Sequence, residues 1–360
     1  MKFVLMNQFF PPAHAPTGVL LSQLAETLRV RGHQVEVIRS EHHYGRATGV
    51  FSKLVEYVAY YFYAHRTLLR MDPPPDAVVS MTTPPFLGLI AAALKKKKDV
   101  PFMLWCMDLY PEALAAGKLL KRDGFLYRLL SRLTAAERDL ADCIVTLGPD
   151  MTRLRNAGAV LEIPVWSRLK PSSETEAVAL EMRRERGWGD DETICLYSGN
   201  MGRAHRIEEF AALAARSVPK TRFVFCGGGP LKKEWQSTYG ELFEWLDPVV
   251  DDQVTAHLLS ADIHLISQQP EWVGIVEPSK YQAACALERP VLFAGPEGSA
   301  VAGWIRQFDN GWVIPPGDPD VIEKVAGELN CSKEVPPNPF DAEELKGRLA
   351  DRLEQIGAAK

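Results

Sequence analysis

No run of apolar residues in this 360-residue sequence is long enough to cross a bilayer. The longest clean run, residues 86–94, is about half of what a membrane-spanning helix needs. The opening Met1-Lys2 leads directly into a strand-like Phe3-Val4-Leu5-Met6, so neither a membrane helix nor a secretory signal is expected. Cysteine is scarce. The six residues at 106, 143, 195, 226, 285 and 331 lie too far apart for metal spacing or a disulfide framework, and they are expected to be reduced core residues of a cytoplasmic protein. Short repeats, low-complexity tracts and nucleic-acid-reading motifs are missing too, and with an acidic chain of net charge −5 nucleic acid is not the expected partner. What remains is ordinary globular composition, 46% hydrophobic and 24% charged, with length enough for two domains.

The net charge conceals an asymmetry. Residues 1–165 hold 20 Lys and Arg against 15 Asp and Glu, whereas residues 166–360 hold 21 against 31. A basic first half points to an anionic partner or surface for that half alone.

Apolar runs of strand length alternate with helical periods throughout, the pattern of parallel sheets buried between helices. In the first half strands are predicted at residues 3–6, 35–38, 77–80, 101–106 and 143–147, with a helix at 18–31. The pattern restarts with strands at 193–197, 222–226, 243–246, 262–266, 290–293 and 312–314. Two doubly wound α/β domains follow, joined by a connector with one surface helix at about 164–190. Past Pro336-Pro337-Asn338-Pro339, a last helix at about 341–356 is placed to pack back across the junction.

Ligands of open α/β sheets bind at the carboxyl ends of the strands, so the loops there carry the candidates. The loop after the first strand ends in Thr17-Gly18; Gly18 either lets a ligand approach the backbone or fits a tight turn. The turn Ser198-Gly199-Asn200-Met201-Gly202-Arg203-Ala204-His205-Arg206 offers bare N–H groups and two guanidinium forks to a phosphate. Gly227-Gly228-Gly229 marks either a ligand wall or simple helix–sheet packing. The sharpest motif is Glu277-Pro278-Ser279-Lys280. Pro278 suits the first helical position, which makes Glu277 the cap and leaves the N–H groups of Ser279, Lys280 and Tyr281 free; with the Lys280 ammonium this is a diphosphate site.

Asp108, just past a buried strand, either orients or deprotonates a hydroxyl or caps the next helix. Thr82-Thr83 ends the strand before it, and His14, His42 and His43 lack metal-ligand spacing, so no metal is expected. The aromatic stretch 51–70 (Phe51, Tyr57, Tyr60, Tyr61, Phe62, Tyr63), the basic run 95–98 and the Leu-rich, basic stretch 121–132 read together as a surface for anionic lipid.

These pieces bring the sequence close to a known group. From Phe10-Pro11 and Gly18 through Gly32-His33, Asp108-Leu109-Tyr110-Pro111-Glu112, the 197–205 turn, Gly227-Gly228-Gly229 and Pro278-Ser279-Lys280 to Arg289-Pro290-Val291, it resembles glycosyltransferase family 4 over nearly its full length. The likeness is strongest to the bacterial branch that builds capsule, exopolysaccharide and O-antigen units. The resemblance implies a GT-B fold, two Rossmann-like domains facing across a cleft: residues 1–165 receiving the acceptor, 166–338 binding the nucleotide sugar, and 339–360 returning as a helix to the first domain. It implies a retaining transfer, independent of metal, from a UDP- or GDP-linked sugar to a lipid-linked or saccharide acceptor, in the cytoplasm or at the inner face of the plasma membrane. A nucleotide-sugar epimerase on the same fold and a non-catalytic scaffold or binding subunit are the competing readings.

Residue by residue, the resemblance gives Gly202, Arg203, Ser279 and Lys280 to the donor diphosphate and Gly227, Gly228 and Gly229 to the nucleotide wall, with Gly199, Asn200, Arg206 and Pro278 beside them in the expected nucleotide-sugar site. Asp108 falls on the acceptor side, and Gly18 where the first-domain loop nears the donor. The sequence departs from the family where the ribose-holding glutamate would stand, because position 283 is Ala283; Glu277 or Gln282 is then expected to hold the ribose. The first glutamate of the family's pair has no clear equivalent here, Glu271 and Glu277 being its two candidates. Asp108, Arg203, Glu277 and Lys280 are the expected catalytic set.

Overall fold

The computed structural model describes residues 1–11, 15–40, 50–151, 159–329 and 333–359, without the side chains of 50–54. The chain divides into two compact units: Met1–Val165 with Gly274–Glu277 and Ala342–Lys360, and Trp166–Val273 with Pro278–Asp341.

The first unit opens with β1 (Lys2–Met6), α1 (Pro16–Val30), β2 (Gln34–Ile38), α2 (Val50–Arg70), β3 (Ala77–Met81), α3 (Gly88–Lys98) and β4 (Phe102–Trp105). It continues through α4 (Glu112–Ala116), α5 (Phe125–Leu140), β5 (Cys143–Thr146) and β6 (Val160–Glu162). The sheet is parallel in the order β2-β1-β3-β4-β5-β6. β1, β3, β4 and β5 are almost wholly apolar and buried, as strands covered by helices on both faces must be.

The second unit contains α6 (Ser173–Glu185), β7 (Thr193–Ser198), α7 (Glu208–Ala214), β8 (Thr221–Cys226), α8 (Lys232–Tyr239), β9 (Glu244–Leu246) and α9 (Val254–Leu259). There follow β10 (Ile263–Ser267), α10 (Lys280–Ala286), β11 (Val291–Ala294), α11 (Ala300–Phe308), β12 (Gly311–Ile314) and α12 (Pro319–Glu328). Its parallel order, β12-β11-β10-β7-β8-β9, is the doubly wound dinucleotide-fold order read from the other edge. The expected pair of doubly wound parallel sheets is therefore present. Eleven of the twelve strands coincide with predicted ones; β6, three half-buried residues at a sheet edge, is too short to carry a period.

The last helix, α13 (Ala342–Ala358), packs within the first unit. Arg31, at the end of α1, holds Asp351 at 2.6 Å and Glu354 at 3.1 Å. His33 meets Glu354 at 2.8 Å, and a Cβ on Gly357 would touch Phe3. Five described cysteines are free and buried. Among the described residues no helix is long and apolar enough to cross a membrane.

Candidate functional site

In the second unit the strand order reverses between β7 and β10, so the loops leaving these strands flank the crevice that such sheets offer a ligand. Hydrogen bonds tie the loops together: Arg206 N–H donates to Ser267 Oγ (3.1 Å) and Gln269 N–H to the Ala204 carbonyl (2.8 Å).

Two glycine turns stack at the ends of β7 and β8. Gly199 (φ +132°) donates to the Cys226 carbonyl at 2.9 Å, and a Cβ on Gly227 (φ +132°) would lie 2.1 Å from the Gly199 oxygen. Only residues without a side chain fit both positions. Gly229 (φ +130°) presses on Asn200 and Met201 in the same way, and Met201 N–H donates to the Gly228 carbonyl at 2.7 Å. A Cβ on Gly228 would meet nothing within 4 Å. Gly227 and Gly229 thus lock one turn to the other, while Gly228 presents open backbone.

Lys280 crosses these turns: a Cβ on Gly199 would come within 2.9 Å of its Cε. Its ammonium stands 4.8 Å from the centroid of the Tyr197 ring and 3.5 Å from both Tyr197 Oη and His205 Nε2. The Tyr197 hydroxyl donates to the Asn200 carbonyl (2.8 Å), and the ring is stacked on Phe225. His205 Nδ1 lies 2.9 Å from the Ser267 carbonyl, an oxygen that can only accept, so Nδ1 carries the proton and Nε2 turns its lone pair to Lys280. Burial, then the Lys280 charge, pushes His205 down to about 3, which keeps it neutral. Burial alone pushes Lys280 down to about 8. No carboxylate among the described residues pairs with it. The result is a half-buried cation held by an aromatic face and a neutral imidazole, with its N–H donors weakly engaged.

The other predicted residues distribute as follows. α10 starts at Lys280, two residues later than predicted, and the Tyr281 N–H donates to the Pro278 carbonyl (3.1 Å). Pro278 is therefore not the first helical residue, Glu277 is not the cap, and the Tyr281 N–H is not free. Ser279 is exposed, and Arg203 is exposed in the same loop as Gly202. Arg206 is committed elsewhere: its Nε and Nη2 grip both oxygens of Glu209 at 2.6 and 2.5 Å, and Glu209 is only 3% exposed. Gln282 is buried among core atoms with both amide atoms unpartnered, and Ala283 is half-buried beside it.

Glu277 belongs to the first unit, where its neighbours are the Asp150 and Glu162 carboxylates. Burial, reinforced by those two charges, holds it well above the usual carboxylate range, and neither of its oxygens has a partner among the described residues. Gly18 resolves toward packing: a Cβ there would lie 2.8 Å from the Phe9 carbonyl oxygen and 3.1 Å from Phe10 Cα. The chain's own loop fills the space a side chain would need. His14, His42 and His43 lie outside the described residues.

Asp108 lines a small recess in the first unit, walled by Thr82, Phe86, Leu104, Cys106, Leu109, Tyr110, Thr134, Glu137 and Arg138. Thr82 Oγ1 accepts from Met107 N–H (3.0 Å) and Asp108 N–H (3.3 Å), fixing the turn that bears the carboxylate. Burial raises Asp108 to about 6. Glu137, raised to about 8 by burial, is a site residue that sequence reasoning missed. The Leu-rich, basic stretch expected to lie at a surface is exposed: Thr134 and Glu137 are the buried residues of α5, while Phe125 is 85% exposed and Leu126, Leu129 and Leu133 are exposed too.

The aromatic helix α2 is mixed. Tyr60 is buried and donates to the Ile38 carbonyl (2.8 Å), whereas Phe62 and Tyr63 are exposed; the Phe51 side chain lies outside the described set. In the basic run, Lys95 pairs with Asp142 at 2.6 Å.

No family model matches the chain. Among curated proteins it is similar to the probable glycosyltransferase WbjE of Pseudomonas aeruginosa, at 26% identity over 267 residues, 71% of this chain and 66% of WbjE. The chain thus spans just under two thirds of that relative's length. Among solved structures it is similar to sucrose-phosphate synthase from Thermosynechococcus elongatus, with a TM-score of 0.73 and 15% identity over the whole of both chains. HepE of Anabaena in complex with UDP gives 0.68 and 14% identity over 99% of this chain and all of HepE. WaaG, a glycosyltransferase involved in lipopolysaccharide biosynthesis, gives 0.59 and 17% identity over all of this chain and 96% of WaaG. The fold is GT-B, and the chain's similarities in sequence and in structure run to glycosyltransferases of the family 4 kind.

Proposed function

We propose that the protein is a glycosyltransferase that moves a sugar from a nucleoside diphosphate to a lipid-linked or saccharide acceptor during assembly of a cell-surface polysaccharide, with retention of configuration. The observation that carries this reading is the Lys280 ammonium, uncompensated by any described carboxylate and seated against the glycine turn at the end of β7. Support comes also from the curated relative's description, from the UDP that HepE binds and from the lipopolysaccharide pathway of WaaG.

Breaking a sugar–phosphate bond sends its electron pair to the leaving diphosphate, so a fixed cation at that position lowers the barrier. Lys280 supplies it, Arg203 adds a second charge from the 199–206 turn, and the open Gly228 backbone gives the nucleotide a flat wall. Arg206 acts indirectly, because its pairing with Glu209 holds the turn in place. In a retaining displacement the acceptor oxygen bonds to the anomeric carbon on the face the diphosphate leaves, and the departing diphosphate oxygen takes the acceptor's proton. No side-chain base is needed, and Asp108 orients the acceptor.

The exposed Phe125, Leu126, Leu129 and Leu133 of α5, with Arg128 and Arg132 on the same helix, form a surface suited to the anionic inner leaflet. Calorimetric titration with UDP and GDP tests the donor site: one of the two binds, and Lys280→Ala weakens it tenfold or more. Nucleoside diphosphate released from the donor only when an acceptor is present separates transfer from epimerisation and from a scaffold role. If neither nucleotide binds, the reading fails.

A further inference from the structure

The recess beside Asp108 is polar on two sides and empties onto no internal partner. Glu137 is 3% exposed, and its Oε2 makes no hydrogen bond among the described residues. The Leu89 N–H at the start of α3 acts on its carboxyl. A Cβ on Gly88 would lie 2.7 Å from Oε2, so this oxygen reaches past a position where any larger residue would block it. Thr134, one turn earlier, donates its hydroxyl back to the Leu130 and Ser131 carbonyls and leaves Glu137 as the inward-facing polar group of α5. An orphaned buried oxygen of this kind costs about 1–3 kcal/mol unless something fills its hydrogen bond.

We propose that Asp108 and Glu137 form a subsite for a single hydroxyl of a neutral sugar or polyol. A hydroxyl both donates and accepts. Asp108 takes its proton as an acceptor, and Glu137 Oε2, carrying the carboxyl proton, donates to its oxygen. The recess is about large enough for one water-sized group, which suits a hydroxyl and excludes a phosphate. The Asp108 carboxylate in its wall also makes it a poor anion site. That this hydroxyl belongs to the acceptor rests on the glycosyltransferase reading; the subsite itself does not.

The protonation states follow from the surroundings. The titratable groups around Glu137 are Asp108, Cys106, Tyr110 and Arg138, with Tyr61 of α2, and Glu112 acts on Cys106. Cys106 is pushed up to about 12 by burial, and Tyr61 and Tyr110 are pushed above the usual tyrosine range. Arginine keeps its charge throughout. Between pH 7 and 9, therefore, Glu137 loses its proton first, at about 8.

Saturation-transfer NMR with octyl β-D-glucopyranoside below its micelle concentration, and octyl phosphate as the anionic control, tests the subsite on the whole chain. The sugar protons of the glucoside should receive saturation at pH 7 and lose it several-fold by pH 9 in the wild type. Glu137→Gln, which keeps a neutral donor at that position, should hold the signal level across the same range. Octyl phosphate should give several-fold less transfer than the glucoside. A wild-type signal that is flat with pH, a Glu137→Gln profile that falls like the wild type's, or equal transfer from the phosphate overturns the proposal. UDP titration of the same samples reports the Lys280 site independently, so failure of one assignment is distinguishable from failure of the other.

Discussion

Lys280 places its ammonium over the ring of Tyr197, 4.8 Å from the centroid, on a residue stacked in turn against Phe225. The cation is thus positioned by aromatic core residues rather than by a countercharge, and it is available to an incoming anion. Because burial lowers its pKa to about 8 from 10.5, the folded chain binds fewer protons than the unfolded one between those values. Stability should rise with pH across that window, and Lys280→Met should remove the rise in urea titrations. UDP affinity should be level below about pH 8 and fall roughly tenfold per unit above it, as the free protein must recover a proton to bind. Turnover of Lys280→Ala should drop by about two or more powers of ten, as for loss of one preorganised donor. Near-normal kinetics would remove Lys280 from the chemistry.

Neighbouring glycines should behave in opposite ways. Gly227→Ala forces a Cβ to within 2.1 Å of the Gly199 carbonyl at φ +132°, and should cost about 3 kcal/mol or more. Gly228→Ala meets nothing within 4 Å and should stay within about 0.5 kcal/mol of wild type. Chemical denaturation of the two variants side by side checks this, and equal losses would contradict the interlocked turns.

Acid should weaken the second unit through His257. It is fully buried, neither ring nitrogen has a partner among the described residues, and burial and Arg186 push it down to about 4. The unfolded residue titrates near 6.5, so the folded state binds fewer protons between 6.5 and 4 and stability falls as pH drops through that window. The loss is up to about 1.4 kcal/mol per pH unit. His257→Gln should show a correspondingly shallower decline between pH 7 and pH 5. The raised carboxyls Asp108 and Glu137 act with the opposite sign, but equally in both proteins, and so cancel from the difference.

Vesicle sedimentation addresses α5. Phe125→Ser with Leu129→Ser should reduce binding to vesicles containing phosphatidylglycerol by about tenfold or more, since burying one such side chain is worth about 1.5–3 kcal/mol. Vesicles of phosphatidylcholine alone should bind the wild type weakly. Indifference to either change would assign the exposed face to something other than lipid.

The strands were legible because burial between two helical layers demands unbroken apolar runs, and runs such as 77–81 or 291–294 have no other use. The glycine turns were legible for a related reason, as Gly199 and Gly227 fall where strands stop. The sequence could not show which alternative a small residue serves. Gly18 makes room for its own loop, and that depends on where Phe9 and Phe10 return. Nor could it show that Arg206 would be claimed by Glu209, three residues on and equally able to face solvent. Glu137 was hidden most thoroughly. The basic residues interleaved with the leucines of α5 marked 121–132 as a surface, but nothing in the sequence said which polar residue of that helix would turn inward.

The first unit takes in α13, whose residues are the last stretch of this sequence to be made. During synthesis all the strands of the second unit are made before Asp351 and Glu354 exist to meet Arg31. The earlier-made unit is therefore the one completed later, and its α1 face stays uncovered until α13 has been made. For the same reason a fragment ending at Val165 leaves that face bare.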